Sequence, residues 1–308
     1  MIVLMVVIGG VTRLTLSGLS ITEWQPLAGV VPPLSHADWL AEFRKYQQIP
    51  QYKLINAGMS LGEFKTIFWW EYVHRLWGRL IGLVYLLPFL YFLVRRRLPR
   101  RLAWPLAGIF ALGAAQGALG WYMVESGLVG RVEVSQYRLT AHLALALLIY
   151  AATLWAALGL LRGPPETPVA PRWRRAAEAV LALVAATVAA GGFTAGLNAG
   201  LVFNTFPLMD GHIVPPGYGE LQPFARNWFE NVAAVQFDHR LLATATAAAI
   251  LALWLAGRRA RLPRPARRAL HALLAAAHQA GAVLLLTVAL LLRHTLRGAV
   301  PARYTVTR

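Results

Sequence analysis

Two stretches of this sequence place a histidine and an arginine side by side within an apolar run. In the first, Glu71 precedes His74 by one helical turn and Arg75 follows, so Glu71 and His74 project from one helix face. In the second, Arg240 directly follows His239. Ionisable groups inside membrane-spanning segments are costly, and by default they mark functional sites. Both stretches are therefore candidate sites.

Two further histidines, His142 and His278, each follow an alanine in an apolar run. Paired histidines from two helices of a bundle, at one depth, suit the axial positions of a haem iron, which then transfers electrons rather than binding oxygen. Zinc would require a tighter cluster of three or four ligands, and the sequence shows none. The alternative is that these histidines form hydrogen bonds between helices.

The charged neighbours of the histidines have two interpretations each. Arg75 and Arg240 are candidates for binding haem propionates, and the alternative is that they anchor the protein at the membrane interface. Glu71 is a candidate catalytic carboxylate, and the alternative is a carboxylate at the outer interface.

The composition indicates an all-α polytopic membrane protein whose immediate partner is the lipid bilayer. Of the 308 residues 57% are hydrophobic, and several apolar runs approach the roughly 20 residues that cross a bilayer. The net charge of +17 comes from short arginine clusters between these runs, which is typical of cytoplasmic loops and argues against nucleic acid as a partner. The chain has no cysteine, so thiolate and disulfide chemistry is excluded. The first apolar run lacks a plausible signal-peptide cleavage site.

The pattern predicts a partial helix over residues 1–12 and a surface helix that begins with a capping box at Ser35 and Asp38. A second capping box, Ser60 with Glu63, predicts the start of a long helix. The predicted membrane helices are residues 60–94, 102–124, 136–161, 176–197, 232–256 and 269–292.

The chain also contains an internal repeat, which predicts two pseudo-symmetric helical bundles. Residues 1–165 form the first four-helix unit, 166–175 a cytoplasmic linker, and 176–308 the second unit. The matching stretches are Gly9-Gly10-Val11-Thr12 with Gly191-Gly192-Phe193-Thr194, His74-Arg75 with His239-Arg240, and Ala141-His142 with Ala277-His278.

The second unit is predicted to lack one helix. The interval from His239 to His278 is shorter than that from His74 to His142 by about 29 residues, roughly one membrane helix plus a turn. The first three histidines lie about 30 Å from the next inner arginine cluster, near the outer face. The last apolar run begins and ends at cytoplasmic arginines, which a single crossing cannot do. Whether His278 reaches the depth of His239 stays open at this point.

Several stretches together resemble haem A synthases of the alphaproteobacterial and mitochondrial type. The resemblance covers nearly the whole chain. Its residues are Gly9 to Thr15, Ser17 to Trp24, Glu63-Phe64-Lys65, Glu71 to Arg75, Gln116-Gly117 with Gly120-Trp121, Tyr137-Arg138-Leu139 with His142, Asn204 to Met209, Gln236-Phe237 with His239-Arg240, and His278 to Ala282.

The resemblance implies an oxidoreductase of the bacterial inner membrane that acts on a CH group. It would oxidise the C8 methyl of haem O to a formyl group through two hydroxylations and loss of water. It implies that His239 and His278 ligate a haem b cofactor, that His74 and His142 flank the substrate haem iron, and that Glu71 is catalytic. Haem O synthase and oxidase assembly factors are possible partners. Two alternatives are a b-type cytochrome that only passes electrons and an inactive relative that assists oxidase assembly.

Overall fold

The computed structural model describes residues 1–25, 28–129, 132–161, 169–260, 262–279 and 282–296, with the backbone alone for residues 28, 129, 275–279, 282–286 and 288. These residues are helical, apart from turns and an isolated bridge between Met209 and His212. The helices are α1 Ile2–Leu14, α2 His36–Tyr46, α3 Pro50–Leu54, α4 Leu61–Val94, α5 Arg100–Val129, α6 Gln136–Leu161, α7 Pro171–Gly196, α8 Asn227–Glu230, α9 Val232–Arg258, α10 Arg264–Gln279 and α11 Ala282–Thr295.

Five of the described helices, namely α4, α5, α6, α7 and α9, are long and apolar enough to cross a membrane. They confirm the predicted all-α polytopic membrane protein and five of the predicted spans. Both predicted capping boxes are present, because Ser35 caps α2 with Asp38 and Ser60 caps α4 with Glu63. Each box satisfies backbone N–H groups that a helix start otherwise leaves without partners.

The chain divides into two compact units, residues 1–149 and 150–308. The division falls within α6 rather than at the predicted linker. Residues late in α6 contact α11 of the second unit: Tyr150 pairs with Thr287, and the Trp155 ring lies edge-on to His294. These contacts assign the second half of α6 to the second unit. The two compact units are defined by packing and not by the sequence repeat, so the predicted repeat boundary at residues 166–175 stays a prediction.

In the first unit, α1 and α5 pack against α4, and the segment between α1 and α4 folds over the start of α4. Its core is a cluster of aromatic side chains between α2 and α4, in which Phe43, Tyr46 and Phe64 pack with ring centroids 5.0 to 5.3 Å apart. Burying one such ring contributes about 1.5–3 kcal/mol. These contacts hold the segment between α1 and α4 against the start of α4.

In the second unit, α7 and α9 are antiparallel, since the start of α7 and the end of α9 line one groove. The predicted single helix over residues 269–292 is wrong, because two helices lie there. Trp254 near the end of α9 donates to His271 of α10, whereas Arg293 of α11 pairs with Glu178 near the start of α7. Both contacts lie at the same end of the unit, so α10 and α11 run in opposite directions. A helical hairpin begins and ends at one membrane face, which a single crossing cannot do.

Candidate functional site

The Glu71 carboxylate is buried on α4 and accepts hydrogen bonds from Ser20, Ile21 and Arg75. It is 2% exposed. Its Oε2 accepts hydrogen bonds from Ser20 Oγ and from the Ile21 backbone N–H, both at 2.8 Å. Its Oε1 accepts from Arg75 Nε at 3.0 Å and from Arg75 Nη2 at 2.6 Å. Charge-assisted bonds of this kind are short and directional, so the carboxylate is held in one position.

Arg75 also holds the segment that follows α1. Its Nη1 donates to the Glu23 carbonyl at 3.0 Å, and its Nη2 donates to the Ile21 carbonyl at 2.8 Å. In the same segment, the Glu23 side chain accepts a hydrogen bond from Lys45, which holds the pKa of the Glu23 carboxyl below its ordinary value. The donors of Arg75 therefore serve Glu71 and this loop, and its assignment to a haem propionate stays a prediction.

His74 lies on α4 and His142 on α6, both in the first unit. The Nδ1 atoms of both rings are buried and have no hydrogen-bond partner among the described residues. Gln116 of α5 donates its amide to the His142 carbonyl at 3.0 Å, and the same amide nitrogen lies 3.2 Å from His142 Nε2. Unpartnered buried polar atoms are rare and call for an explanation such as a bound group. Both predicted histidines of the first unit thus have a buried nitrogen that no described residue satisfies.

His239 on α9 is held differently. Its Nδ1 lies 3.1 Å from the Thr187 carbonyl of α7. Because a carbonyl only accepts, Nδ1 carries the proton and Nε2 keeps its lone pair, which is the tautomer that binds a metal through Nε2. His278 lies on α10, but its side chain is outside the described residues. The predicted pairing of His239 with His278 therefore stays a prediction.

The residues around His239 repeat those around His74. Gln236 is 4% exposed; its Oε1 accepts from the Phe203 N–H at 3.2 Å and its Nε2 donates to the Phe203 carbonyl at 2.8 Å. Arg240 donates to the carbonyls of Phe203 and Thr205 at 2.5 and 2.6 Å. The equivalent pairs are Glu71 and Gln236, Arg75 and Arg240, Ile21 and Phe203, Glu23 and Thr205, and Thr12 and Thr194.

The sequence reasoning missed several residues of these sites. Gln236 precedes His239 by the same spacing that separates Glu71 from His74, so the repeat itself was the signal. Ser20 and Thr187 have no comparable signal. Ser20 is one of many small residues in a loop, and Thr187 contributes only its backbone carbonyl.

Comparison with known proteins identifies relatives of this chain. Residues 1–275 match the family described as cytochrome oxidase assembly protein. The haem A synthase of Nitrosospira multiformis is 54% identical over 95% of this chain and 89% of its own length. That of Rhodospirillum centenum is 56% identical over 84% and 70%, and that of Paramagnetospirillum magneticum is 46% identical over 96% and 90%. No solved structure matches this chain significantly.

The alignment with the Nitrosospira relative spans 318 positions, which is more than the 308 residues of this chain. That relative therefore has residues within the aligned range that this chain lacks. The match nevertheless extends over nearly the whole of both proteins. The chain belongs to the haem A synthase family, whose members are membrane oxidoreductases.

Proposed function

We propose that this protein oxidises the C8 methyl of haem O to a formyl group, by two hydroxylations and loss of water, in the formation of haem A for terminal oxidases. The observation that carries the proposal is the first-unit site. There, His74 lies one helical turn from the buried Glu71 carboxylate, and His74 and His142 each have a buried Nδ1 atom without a partner among the described residues. Membership of the haem A synthase family supports the same reaction.

The histidines present fit haem in both units. In the first unit, His74 and His142 supply two imidazoles for the iron of the substrate haem. In the second, the hydrogen bond to the Thr187 carbonyl leaves Nε2 of His239 available as a ligand for a resident haem b, with His278 as the proposed second ligand. A haem b bound there would supply one-electron transfer.

Glu71 is the proposed catalytic residue. Its negative charge is fixed by hydrogen bonds before substrate arrives, so it stabilises positive charge that develops as electrons leave the methyl carbon through the conjugated macrocycle. It also accepts the proton of an attacking water when one of these hydrogen bonds opens. Ser20 is the neighbour whose bond opens at lower cost, because Arg75 carries a full charge.

We propose an inner-membrane location with the histidine sites near the outer face. His74, His142 and His239 lie about 30 Å along their helices from the arginine clusters that should be cytoplasmic. The α10–α11 hairpin supports this orientation, since its two ends lie at the inner end of α7 and α9. Haem O synthase and oxidase assembly factors remain proposed partners.

We further propose that the residues missing relative to the Nitrosospira protein are the seventh helix of the family. The shorter interval between His239 and His278 places the difference in the second unit. In this chain α10 packs on α9 and α11 packs on α7, so two short helices cover the faces of the helix pair.

The test is the haem content of membranes from cells that make this protein together with a haem O synthase. Extracted haems are separated and identified by mass. Haem A above the level of a host without this protein is the expected result. Haem O alone, with the protein present in the membrane, would contradict the proposed oxidation. Glu71→Ala is the matched variant, and it should retain haem O in the protein while losing haem A.

A further inference from the structure

Three glycines lie against three of the four candidate haem ligands, namely those whose side chains the structure describes. A Cβ atom at Gly9 would lie 3.1 Å from Cε1 of His74. A Cβ atom at Gly191 would lie 3.0 Å from Cε1 of His239. Separations this short are tighter than nine in ten Cβ contacts in proteins, so a side chain at either position requires the imidazole to shift by a few tenths of an ångström.

The third pair is Gly120 of α5 with His142 of α6. Here a Cβ atom would lie 3.0 Å from Cε1, 3.6 Å from Nδ1 and 3.8 Å from Nε2 of the ring. Cε1 and both ring nitrogens thus lie within 4 Å of one position on the neighbouring helix. The imidazole lies directly against the backbone of that helix because the residue there has no side chain.

The arrangement is specific to these positions. Gly10 and Gly117, which belong to the same two helices, would place a Cβ with nothing within 4 Å. Each glycine inside a helix costs about 0.5–1 kcal/mol relative to alanine. At Gly10 and Gly117 alanine would fit without contact, whereas at Gly9 and Gly120 it would meet a histidine ring.

Both units of the repeat place a glycine against the equivalent histidine. Gly9 and Gly191 occupy equivalent places in the Gly-Gly-Val-Thr and Gly-Gly-Phe-Thr stretches, and their histidines are the equivalent His74 and His239. The Gly120–His142 contact uses a different pair of helices. A glycine of one helix therefore lies against a histidine ring of another helix at three sites.

We infer that Gly9, Gly120 and Gly191 are positioning residues that set the orientation of the imidazoles toward haem. This inference rests on the proposed haem-ligating role of His74, His142 and His239. Each glycine leaves space for the Cε1 edge of a ring against the neighbouring helix. A methyl group in that space rotates or displaces the ring and so misdirects the nitrogen that binds iron.

The test begins with the second unit, in a host that lacks haem O synthase, so that haem b is the haem available. Purified wild-type protein, Gly191→Ala and the control Gly10→Ala are compared by haem per protein, visible absorption and low-spin electron paramagnetic resonance. Overpacking at a tight site predicts about tenfold weaker haem retention or a shifted ligand-field spectrum for Gly191→Ala. Gly10→Ala should match the wild type, since alanine there meets open space.

The second arm uses cells that make haem O. Gly9→Ala and Gly120→Ala should retain about tenfold less haem O, while the haem b signals of the second unit stay unchanged. Gly117→Ala is the control on the same helix as Gly120. Loss confined to the unit that carries the substitution separates misplaced ligands from general misfolding, which would remove both haems together.

Unchanged haem content and spectra in all three histidine-facing variants would overturn the inference, as would equal losses in the two controls. These readouts do not require haem A to form. A wild-type protein that binds haem and makes no haem A would contradict the proposed function while the glycine comparison still gives its result. A wild-type protein that binds no haem would overturn both.

Discussion

The two units make the same backbone contacts around different side chains. In the first, the buried residue one turn before the histidine is Glu71, which Ser20 and Arg75 hold by hydrogen bonds. In the second, it is Gln236, which binds both the N–H and the carbonyl of Phe203. A neutral amide completes this backbone pairing alone, whereas a carboxylate only accepts and brings a charge. The first unit therefore has a fixed negative charge one turn before its histidine, and the second unit has none at the equivalent position.

The histidines differ in the same sense. His239 is anchored through Nδ1 to a backbone carbonyl, and Nδ1 of His74 and of His142 has no partner among the described residues. An anchored imidazole suits a group that stays bound, because its ligand nitrogen is oriented in advance. Rings without this anchor suit a substrate that enters and leaves. The comparison supports a resident cofactor in the second unit and the reaction in the first.

The largest expected effect comes from removing the arginine of the first unit. Arg75→Met leaves the Glu71 carboxylate buried without its cation, which costs about 3–5 kcal/mol of stability. Arg240→Met, at the equivalent position, loses hydrogen bonds to two carbonyls and should cost about 1–3 kcal/mol. Thermal unfolding of both purified variants measures the difference. Equal losses would show that the ion pair adds nothing beyond the loop contacts.

The next effect concerns turnover. Glu71→Gln gives the first unit the side chain of the second and keeps the shape of the pocket. Loss of the charge should lower haem A formation about 10²-fold or more, by analogy with the removal of a preorganised electrostatic contact. Haem O content, measured on the same samples, should stay near the wild-type level. Haem O loss together with haem A loss would indicate that Glu71 is structural.

The reverse exchange, Gln236→Glu, brings a carboxylate against the Phe203 carbonyl and removes a donor from it. The expected cost is about 1–3 kcal/mol, because a buried acceptor then faces another acceptor. The temperature at which the purified protein releases its haem reports this loss. A variant as stable as the wild type would mean that the second unit accommodates a charge as readily as the first.

The smallest effect is expected from the hydroxyl that distinguishes the two loops. Ser20→Ala removes one hydrogen bond to Glu71, worth about 1 kcal/mol, and should slow haem A formation a few-fold. Val202→Ser adds a hydroxyl at the equivalent position of the second unit. It should leave turnover unchanged, because Gln236 is already paired with Phe203. Identical turnover of Ser20→Ala and wild type would show that Arg75 and the Ile21 N–H hold the carboxylate without help.

Much of the architecture was predictable from local pattern. The five long apolar helices and both capping boxes were confirmed, since each depends on residues near one another in the chain. The last apolar run was the exception. A run of this length can form one long helix or two shorter ones, and apolar composition alone does not distinguish these two structures. The packing of α10 on α9 and of α11 on α7 selects the hairpin.

The sequence by itself determined the membrane helices, the repeat and the set of ionisable residues inside apolar runs. It did so because a bilayer leaves few ways to satisfy backbone polar groups, and buried charges are too costly to be incidental. Tertiary structure alone decided which atoms those residues use. The arginine donors reach loop carbonyls, Nδ1 of His239 reaches Thr187, and glycines from other helices receive the rings. These partners lie far apart in the chain, and only packing brings them within hydrogen-bonding distance.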